Sequence, residues 1–429
     1  MTLDRPASRL GRRPGTNRPA ATRDEADRGL NIEVITTAER FLALRGDWDA
    51  LHKAMGFADG PRMNPFTSWT FVWEWWQARE RTKRFAQPRV RLHIVAVRDV
   101  RQQVRAILPF VQARWGVGPL VFRALRFYGF GPTTSDLRGP LVSPGWETAV
   151  AYRLAEAWRA RETEVDLLVL DGLDQDSPFT QRLEALARSE GWRWGPDVPS
   201  HVLALPESWQ AFRSAARGHL RKSIRHGYNS LKRDRHAFSF EVIVDPQRIG
   251  GAVKDVFRLH AARAAREIKP RHRDYYAKRA DRDTLQAIAA SMAPEGRFGV
   301  AQMRVGDQVV AARFVFISSD TLYLHDAGAD PAWSYYAVAT TLTSECLRWG
   351  MERGVRRVYL GTGLDPSKSR WGCEQQMLRR LHVLGPTVRS RIAPAILNVH
   401  QTMRRLLVAS QLSHAPPLLE RALSALSGQ

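Results

Sequence analysis

Only two cysteines, Cys346 and Cys373, occur in 429 residues. A disulfide framework is therefore excluded, and a reducing compartment, the cytoplasm, is the expected setting. No apolar run reaches the roughly 18 residues a spanning helix needs, so no membrane span is expected. Residues 1–30 (MTLDRPASRLGRRPGTNRPAATRDEADRGL) lack the apolar centre of a secretory signal and read as a disordered tail. Paired cysteines, an HExxH motif and an acid-rich calcium loop are all missing, and the histidines, His260, His272 and His325 among them, are dispersed. No metal site is expected. There is no GxSxG elbow, and Cys346 stands mid-helix without an evident partner, so covalent catalysis by Ser or Cys is not expected either.

What is present is a globular composition: 44% apolar residues, with 14 Trp and 17 Phe. The length suits two or three domains, each able to bury its own core. Lys and Arg number 65 against 43 Asp and Glu, a formal charge of +22. Such a surface attracts nucleic acid, anionic lipid or phosphorylated ligands. The basic residues are mostly scattered Arg, as composition bias alone produces, so the charge directs the search without deciding it.

Two stretches of about 160 residues show one order of elements, helices, antiparallel strands, a strand, a helix and a strand, and each length suits a single mixed α/β domain. In the first, FTSWTFVWEWWQARE is an aromatic helix, RLHIVAVRD and QVRAILPFVQAR are strands, WETAVAYRLAEAWRA is a helix and VDLLVLDGLD a buried strand. The helical spacing of Trp69, Trp73, Trp75 and Trp76 suits core packing better than a carbohydrate-stacking surface. In the second, two helical patterns (RIGGAVKDVFRLHAARAAREI and DYYAKRADRDTLQAIAASMA) precede the hairpin RFGVAQMRV-GD-QVVAARFVFIS. The strand TLYLHDAG, the long helix AWSYYAVATTLTSECLRWGMERG and the strand VRRVYLGTGLD follow. Matching VDLLVLDGLD to VRRVYLGTGLD suggests a duplicated unit. The expected domains are 31–200 and 201–386, the second carrying a basic linking helix 209–236, with a helical tail at 387–429. That linking helix places Phe212, Ala216, Leu220 and Ile224 on an apolar ridge beside an arginine ridge of Arg213, Arg217, Arg221 and Arg225.

The stretch LGTGLDPSKSRWG (360–372) has the wrong spacing for a nucleotide-hydrolase phosphate loop, and Lys368 is not preceded by Gly. It also lacks the third Gly of a dinucleotide fingerprint. The N-terminus of the helix after TLYLHDAG remains as an anion site, since its backbone N–H groups and dipole suit a pyrophosphate.

Four stretches resemble the GNAT-type acyltransferases of the CelD-like, cellulose-biosynthesis group, distant relatives of the Fem-type peptidoglycan aminoacyltransferases. They are NPFTSWTFVWEWW, the Arg-rich RGHLRKSIRHGYNSLKRD, FRLHAARAARE with its Leu-His-x-x-Arg pattern, and YLGTGLDPSKSRWG, in the family's order over about 65–385. The resemblance implies an α/β (mixed α+β) fold of two tandem GNAT-like domains, each a mostly antiparallel mixed sheet flanked by helices. It further implies acetyl-CoA or another acyl-CoA as co-substrate and acyl transfer to an amine or hydroxyl, in exopolysaccharide or cell-envelope metabolism. Where many GNAT enzymes hold the pyrophosphate with a glycine-rich turn, this sequence has WSYYAV, so Tyr335, Tyr336, Ala337 and Val338 are the expected CoA contacts.

Acyl transfer needs a base for the acceptor and an acid for the departing thiolate. His260, at the family's His position, and His325, at a strand end beside Asp326, are candidates for proton transfer, and Tyr359 for donation to the thiolate. Arg263, Asp365, Lys368 and Arg370, with Arg217, Arg221 and Arg225, are candidates for binding an anionic or carbohydrate acceptor. Each has a plainer alternative: a packed histidine, a core tyrosine, a solvated helix face. Other outcomes consistent with the sequence are a Fem-like transferase using aminoacyl-tRNA, peripheral membrane contact through the basic surface or the tail, and an inactive scaffold of a polysaccharide-synthesis complex.

Overall fold

The computed structural model describes residues 29–57, 64–81, 90–117, 120–129, 135, 137–160, 165–195, 197–266, 272–363 and 366–385. Both tails (1–28 and 386–429) and Asp365 lie outside the described residues. The strands are β1 (Asn31–Ile35), β2 (Arg91–Arg98), β3 (Val104–Val117), β4 (Leu120–Phe127), β5 (Leu141–Val142), β6 (Leu167–Asp174), β7 (Arg193–Trp194) and β8 (Val198–Ala204), then β9 (Phe238–Ile243), β10 (Phe298–Val305), β11 (Gln308–Ile317), β12 (Thr321–Ala329), β13 (Arg357–Thr362) and β14 (Glu374–Leu384). The helices are α1 (Ala38–Ala43), α2 (Arg45–Phe57), α3 (Trp69–Arg81), α4 (Glu147–Arg159) and α5 (Pro178–Glu190), followed by α6 (Trp209–Ala215), α7 (Gly218–Arg233), α8 (Pro246–Ala264), α9 (Arg279–Met292), α10 (Val338–Met351) and α11 (Pro366–Ser369).

The expected duplication is visible in the pairing. One half runs β1-β2-β3-β4 antiparallel, with β6 parallel to β4; the other runs β9-β10-β11-β12 antiparallel, with β13 parallel to β12. The last strand of each half crosses over: β14 adds to β6, β8 adds to β13, and the two pair with each other from Glu374↔Val202 to Leu378↔Val198. One sheet therefore runs through both halves, and β8 spans the 200/201 boundary expected from sequence. Above its centre, Tyr359 donates to Gln376 Oε1 at 3.0 Å and Gln376 donates to Asp174 at 2.6 Å, linking β13, β14 and β6.

One face of this sheet carries a core common to both halves. The aromatic helix α3 buries Trp69, Phe71, Val72 and Trp75 there, as its spacing predicts, and packs on α9; its Phe71, with Phe66 from the 3-10 turn Pro65–Thr67 just before it, meets Phe316. Polar contacts reinforce the joint: Thr70 donates to Glu295 at 2.6 Å, Ser291 to Glu74 at 2.8 Å, and the buried Arg79 meets Asp281 at 3.4 Å. The opposite face has two separate cores, one under α4 and α5 and one under α6, α7 and α10.

Three local expectations change. The 209–236 helix breaks at Ala216 (ψ 141°), so the arginine ridge restarts at Gly218. PAWSYY is a 3-10 turn, because Asp330 caps it and Ala337 takes a left-handed φ of 50°; α10 begins at Val338. The helix expected from Asp274 starts at Arg279, since the Asp274 carboxylate accepts from the Tyr276 N–H at 2.9 Å and holds a turn.

Gly328 on β12 lets α8 approach: a Cβ there would lie 2.4 Å from the His260 nitrogen and 2.5 Å from the Leu259 carbonyl carbon. Gly328→Ala is expected to cost about 1–3 kcal/mol or more by overpacking, read as a lower urea midpoint; an unchanged midpoint contradicts this contact. On β14, burial holds the His382 imidazole down to about 4. The unfolded chain then takes up this proton more readily. Stability is complete above pH ~6.5 and falls as pH drops towards 4, by about 3 kcal/mol in all. His382→Gln should flatten urea-midpoint profiles across that window, and an equally steep profile in the variant would assign the acid loss elsewhere.

Candidate active site

The parallel pairing of β12 with β13 covers only Thr321–Tyr323 against Arg357–Tyr359, although β12 continues to Ala329 and β13 to Thr362. Past Tyr359 the strands splay. Gly361 and Gly363 adopt φ of 86° and 97°, a left-handed bend that carries the glycine-rich stretch away from β12. Between the strands lies a cavity of about 630 Å³.

On the β12 wall, the ladder to β11 jumps from Arg313↔Ala327 to Val315↔Leu324. His325 and Asp326 thus oppose a single residue, a bulge that re-aims the strand beside the cavity. Asp326 accepts the Tyr276 O–H at 2.6 Å, and its Oδ2 lies 3.9 Å from His325 Nε2. His325 also packs beside Phe66 and Phe316.

The end of α8 brings in His260 and Arg263. His260 is 1% exposed. Its Nδ1 lies 3.2 Å from Asp274 Oδ1, and its Nε2 lies 3.1 Å from His272 Nε2. With Nδ1–H directed at a carboxylate, Nε2 is left to accept a hydrogen bond from the His272 Nε2–H, a tautomer inferred from the network. Burial first, then the charges of Arg263 and His260, hold the His272 imidazole down to about 4, so it is neutral near pH 7.

Ala337, Val338 and Ala339, at the N-terminus of α10, line the cavity mouth. The Ala337 carbonyl takes the N–H groups of Thr340 and Thr341, while the helix itself has no acceptor for those of Val338 and Ala339. Ala337 adopts the left-handed turn for which glycine is the usual residue, which explains how the loop forms from WSYYAV.

The opposite wall is the glycine-rich stretch. Lys368 donates to the Thr362 carbonyl at 2.6 Å, and Arg370 donates to the Thr340 hydroxyl at 2.7 Å, tying the stretch to the first turns of α10. Both side chains line the cavity.

The structure therefore brings together His260, His325, Arg263, Ala337, Val338, Lys368 and Arg370, and leaves other candidates elsewhere. Tyr359 stacks on Tyr323 (4.7 Å, 14°), gives its hydroxyl hydrogen to Gln376, and does not line the cavity. Tyr335 and Tyr336 turn towards α7: Arg233 donates to the Tyr335 hydroxyl at 2.9 Å, and the Tyr336 hydroxyl lies 3.1 Å from the His236 ring. Arg217, Arg221 and Arg225 are exposed on the α6–α7 segment, outside the cavity. Sequence reasoning missed Arg313, His272 and Asp274. Arg313 did leave a signal, as the one charge inside the apolar run QVVAARFVFIS.

Burial pushes the Cys346 and Cys373 thiols up to about 12, which removes a thiolate nucleophile at neutral pH. No group of three potential metal ligands occurs among the described residues. In the first half, two positions past the last parallel pair stands Asp171, paired with Arg126 at 3.2 Å and Arg138 at 2.8 Å; burial would raise its carboxyl, but these guanidiniums hold it well below the carboxylate range.

The profile of the acetyltransferase (GNAT) domain family matches residues 218–369, a span that holds the cleft's lining residues except Arg370 and Trp371. No curated protein matches the chain. Among solved structures, FemX is similar with a TM-score of 0.54 at 10% identity, over 81% of this chain and 96% of that one. A conserved protein of unknown function from Bacteroides thetaiotaomicron aligns at 14% identity over 82% of this chain and all (100%) of that one, with a TM-score of 0.47. A tandem GNAT protein from the clavulanic acid biosynthesis pathway aligns at 14% identity over 83% and 100%, with a TM-score of 0.44. The fold is a mixed α/β GNAT fold, and residues 218–369 are the part that is similar to the acetyltransferase (GNAT) domain.

Proposed function

We propose that the chain is an acyltransferase moving an acyl group from acyl-CoA, acetyl-CoA foremost, to an amine or hydroxyl acceptor. The observation that supports this is the splayed β12–β13 pair with the first turn of α10 at its mouth. A coenzyme pyrophosphate would take the N–H groups of Val338 and Ala339, with Lys368 and Arg370 adding positive charge. Its thioester would then reach between the strands. The acceptor's nucleophile attacks the thioester carbonyl and the carbon–sulfur bond breaks. His272 Nδ1 takes the acceptor's proton as His272 passes its Nε2 proton to Nε2 of His260, which Asp274 orients, and His325 is the second imidazole available to return a proton to the thiolate. In this proposal the work belongs to cell-envelope or exopolysaccharide metabolism in the cytoplasm, within the CelD-like group.

The exposed basic face of α7 favours a second reading, in which a Fem-like aminoacyl-tRNA donor docks through Arg217, Arg221 and Arg225. Stabilisation by charged tRNA that survives moderate salt and depends on the amino acid would favour it over acyl-CoA.

Acetyl-CoA should raise the melting temperature of the full chain, and absence of a shift with any acyl-CoA would defeat the first reading. Ala339→Asp places a carboxylate where a helix N-terminus tolerates or welcomes it but where it repels a pyrophosphate. Unchanged or slightly higher stability is expected, with acetyl-CoA affinity reduced by about tenfold or more; unaltered affinity would place the coenzyme elsewhere. Once an acceptor is found, His260→Gln should lower kcat by about 10²–10⁴-fold while the acetyl-CoA shift persists. Wild-type turnover in that variant would move the base to another group, and complex formation without turnover in the wild type would mark a scaffold.

A further inference from the structure

Among the described residues, five cationic side chains, Arg263, Arg266, Arg313, Lys368 and Arg370, line the cleft against two carboxylates, Asp326 and Asp330. Both carboxylates are already engaged: Asp326 holds the Tyr276 hydroxyl, and Asp330 caps the 3-10 turn and accepts from Gln308 at 2.9 Å. Arg313 is the deeply set cation. Its Nη1 donates to the Thr343 hydroxyl at 3.1 Å, its Nε is buried without an acceptor among the described residues, and none of those residues forms an ion pair with it. Burial disfavours its charge and the charge of Arg263 adds to that cost, while Cys346 and the Asp326 carboxylate offset only part of it.

Other buried arginines of this protein behave differently. Arg126 and Arg138 share Asp171 at 3.2 and 2.8 Å, and Arg79 meets Asp281 at 3.4 Å. A desolvated guanidinium is ordinarily paired because an uncompensated buried charge is costly. Arg313 instead lines the cleft, and no described carboxylate pairs with it there.

We propose that Arg313, with Arg263 beside it, anchors a compact anionic group, a carboxylate or a phosphate, carried by the acceptor close to its nucleophile. The proposal rests on the acyltransferase reading for the word acceptor, but the anion subsite stands on geometry alone. It is separate from the coenzyme's anion site, since Thr343 lies five residues beyond Val338, about 7 Å further along α10. The planar fork of Arg313 suits two oxygens of one carboxylate or phosphate, which a lysine cannot match. A neutral sugar or simple amine would leave the charge uncompensated.

Sodium acetate, propionate and phosphate are the probes, with acetamide and propionamide as neutral matches, at ionic strength fixed with chloride. Thermal stabilisation of the full chain is the readout. The anions should stabilise the wild type saturably and the amides should not. Arg313→Met should weaken the response by about tenfold or more, Arg313→Lys should keep part of it, and Arg279→Met, at an exposed distant site, all of it. Equal responses to anions and amides, no response to any anion, or an undiminished response in Arg313→Met would each overturn the proposal. If Arg313→Met does not fold, the weakened response of Arg313→Lys decides. Whichever of carboxylate and phosphate saturates at lower concentration identifies the group. An anion shift without an acetyl-CoA shift would remove the acyltransferase reading and leave the subsite; the reverse would remove the subsite alone.

Discussion

The antiparallel pairing of β8 with β14 is the contact on which the rest of the molecule depends. Each of these strands completes the sheet of the half it does not follow in sequence, so neither half closes its sheet without a strand lent by the other. Backbone hydrogen bonds in the middle of a sheet cannot be left unmade without a large desolvation cost, and the exchange thus couples the two halves. The shared aromatic core under α3 and α9 strengthens the coupling from one face. The cleft is consequently held by both halves, since β13, one of its walls, is flanked on its far side by β8.

Within that frame the two parallel pairs, β4 with β6 and β12 with β13, have taken opposite courses. In the first half the position two residues past the last pair is Asp171, and its carboxylate gathers Arg126 and Arg138 into a buried cluster. In the second half the position reached by the same count is Gly361. A glycine contributes no side chain and tolerates the bend at φ 86°. Replacing an acid by a glycine both removes the group that would neutralise a nearby arginine and opens the volume it would fill.

The sequence carried the fold in its periodicities. The matched strands VDLLVLDGLD and VRRVYLGTGLD, the hairpin at Gly306 and the buried face of α3 all follow from alternation, turn chemistry and helical spacing, which are local. The exchange of β8 and β14 was not legible, because a strand's partner across the sheet leaves no mark in its own pattern. His260, His325, Lys368 and Arg370 were readable as motif residues. Tyr335 and Tyr336 were misplaced because a single left-handed residue, Ala337, ends the 3-10 turn and sends them towards α7, and alanine gives no warning of that conformation. His272 and Asp274 lie in a charged stretch whose importance comes only from meeting His260 across a turn.

These differences bear on how a duplicated fold divides its work. In the buried cluster Arg126–Asp171–Arg138 both guanidiniums have a carboxylate partner supplied by the fold. An arginine left with one hydroxyl partner beside a cavity has its remaining hydrogen-bonding capacity directed outward. The same principle, that desolvated charge calls for a partner, gives the buried arginines of one half a protein carboxylate and leaves Arg313 in the other to be completed by what binds.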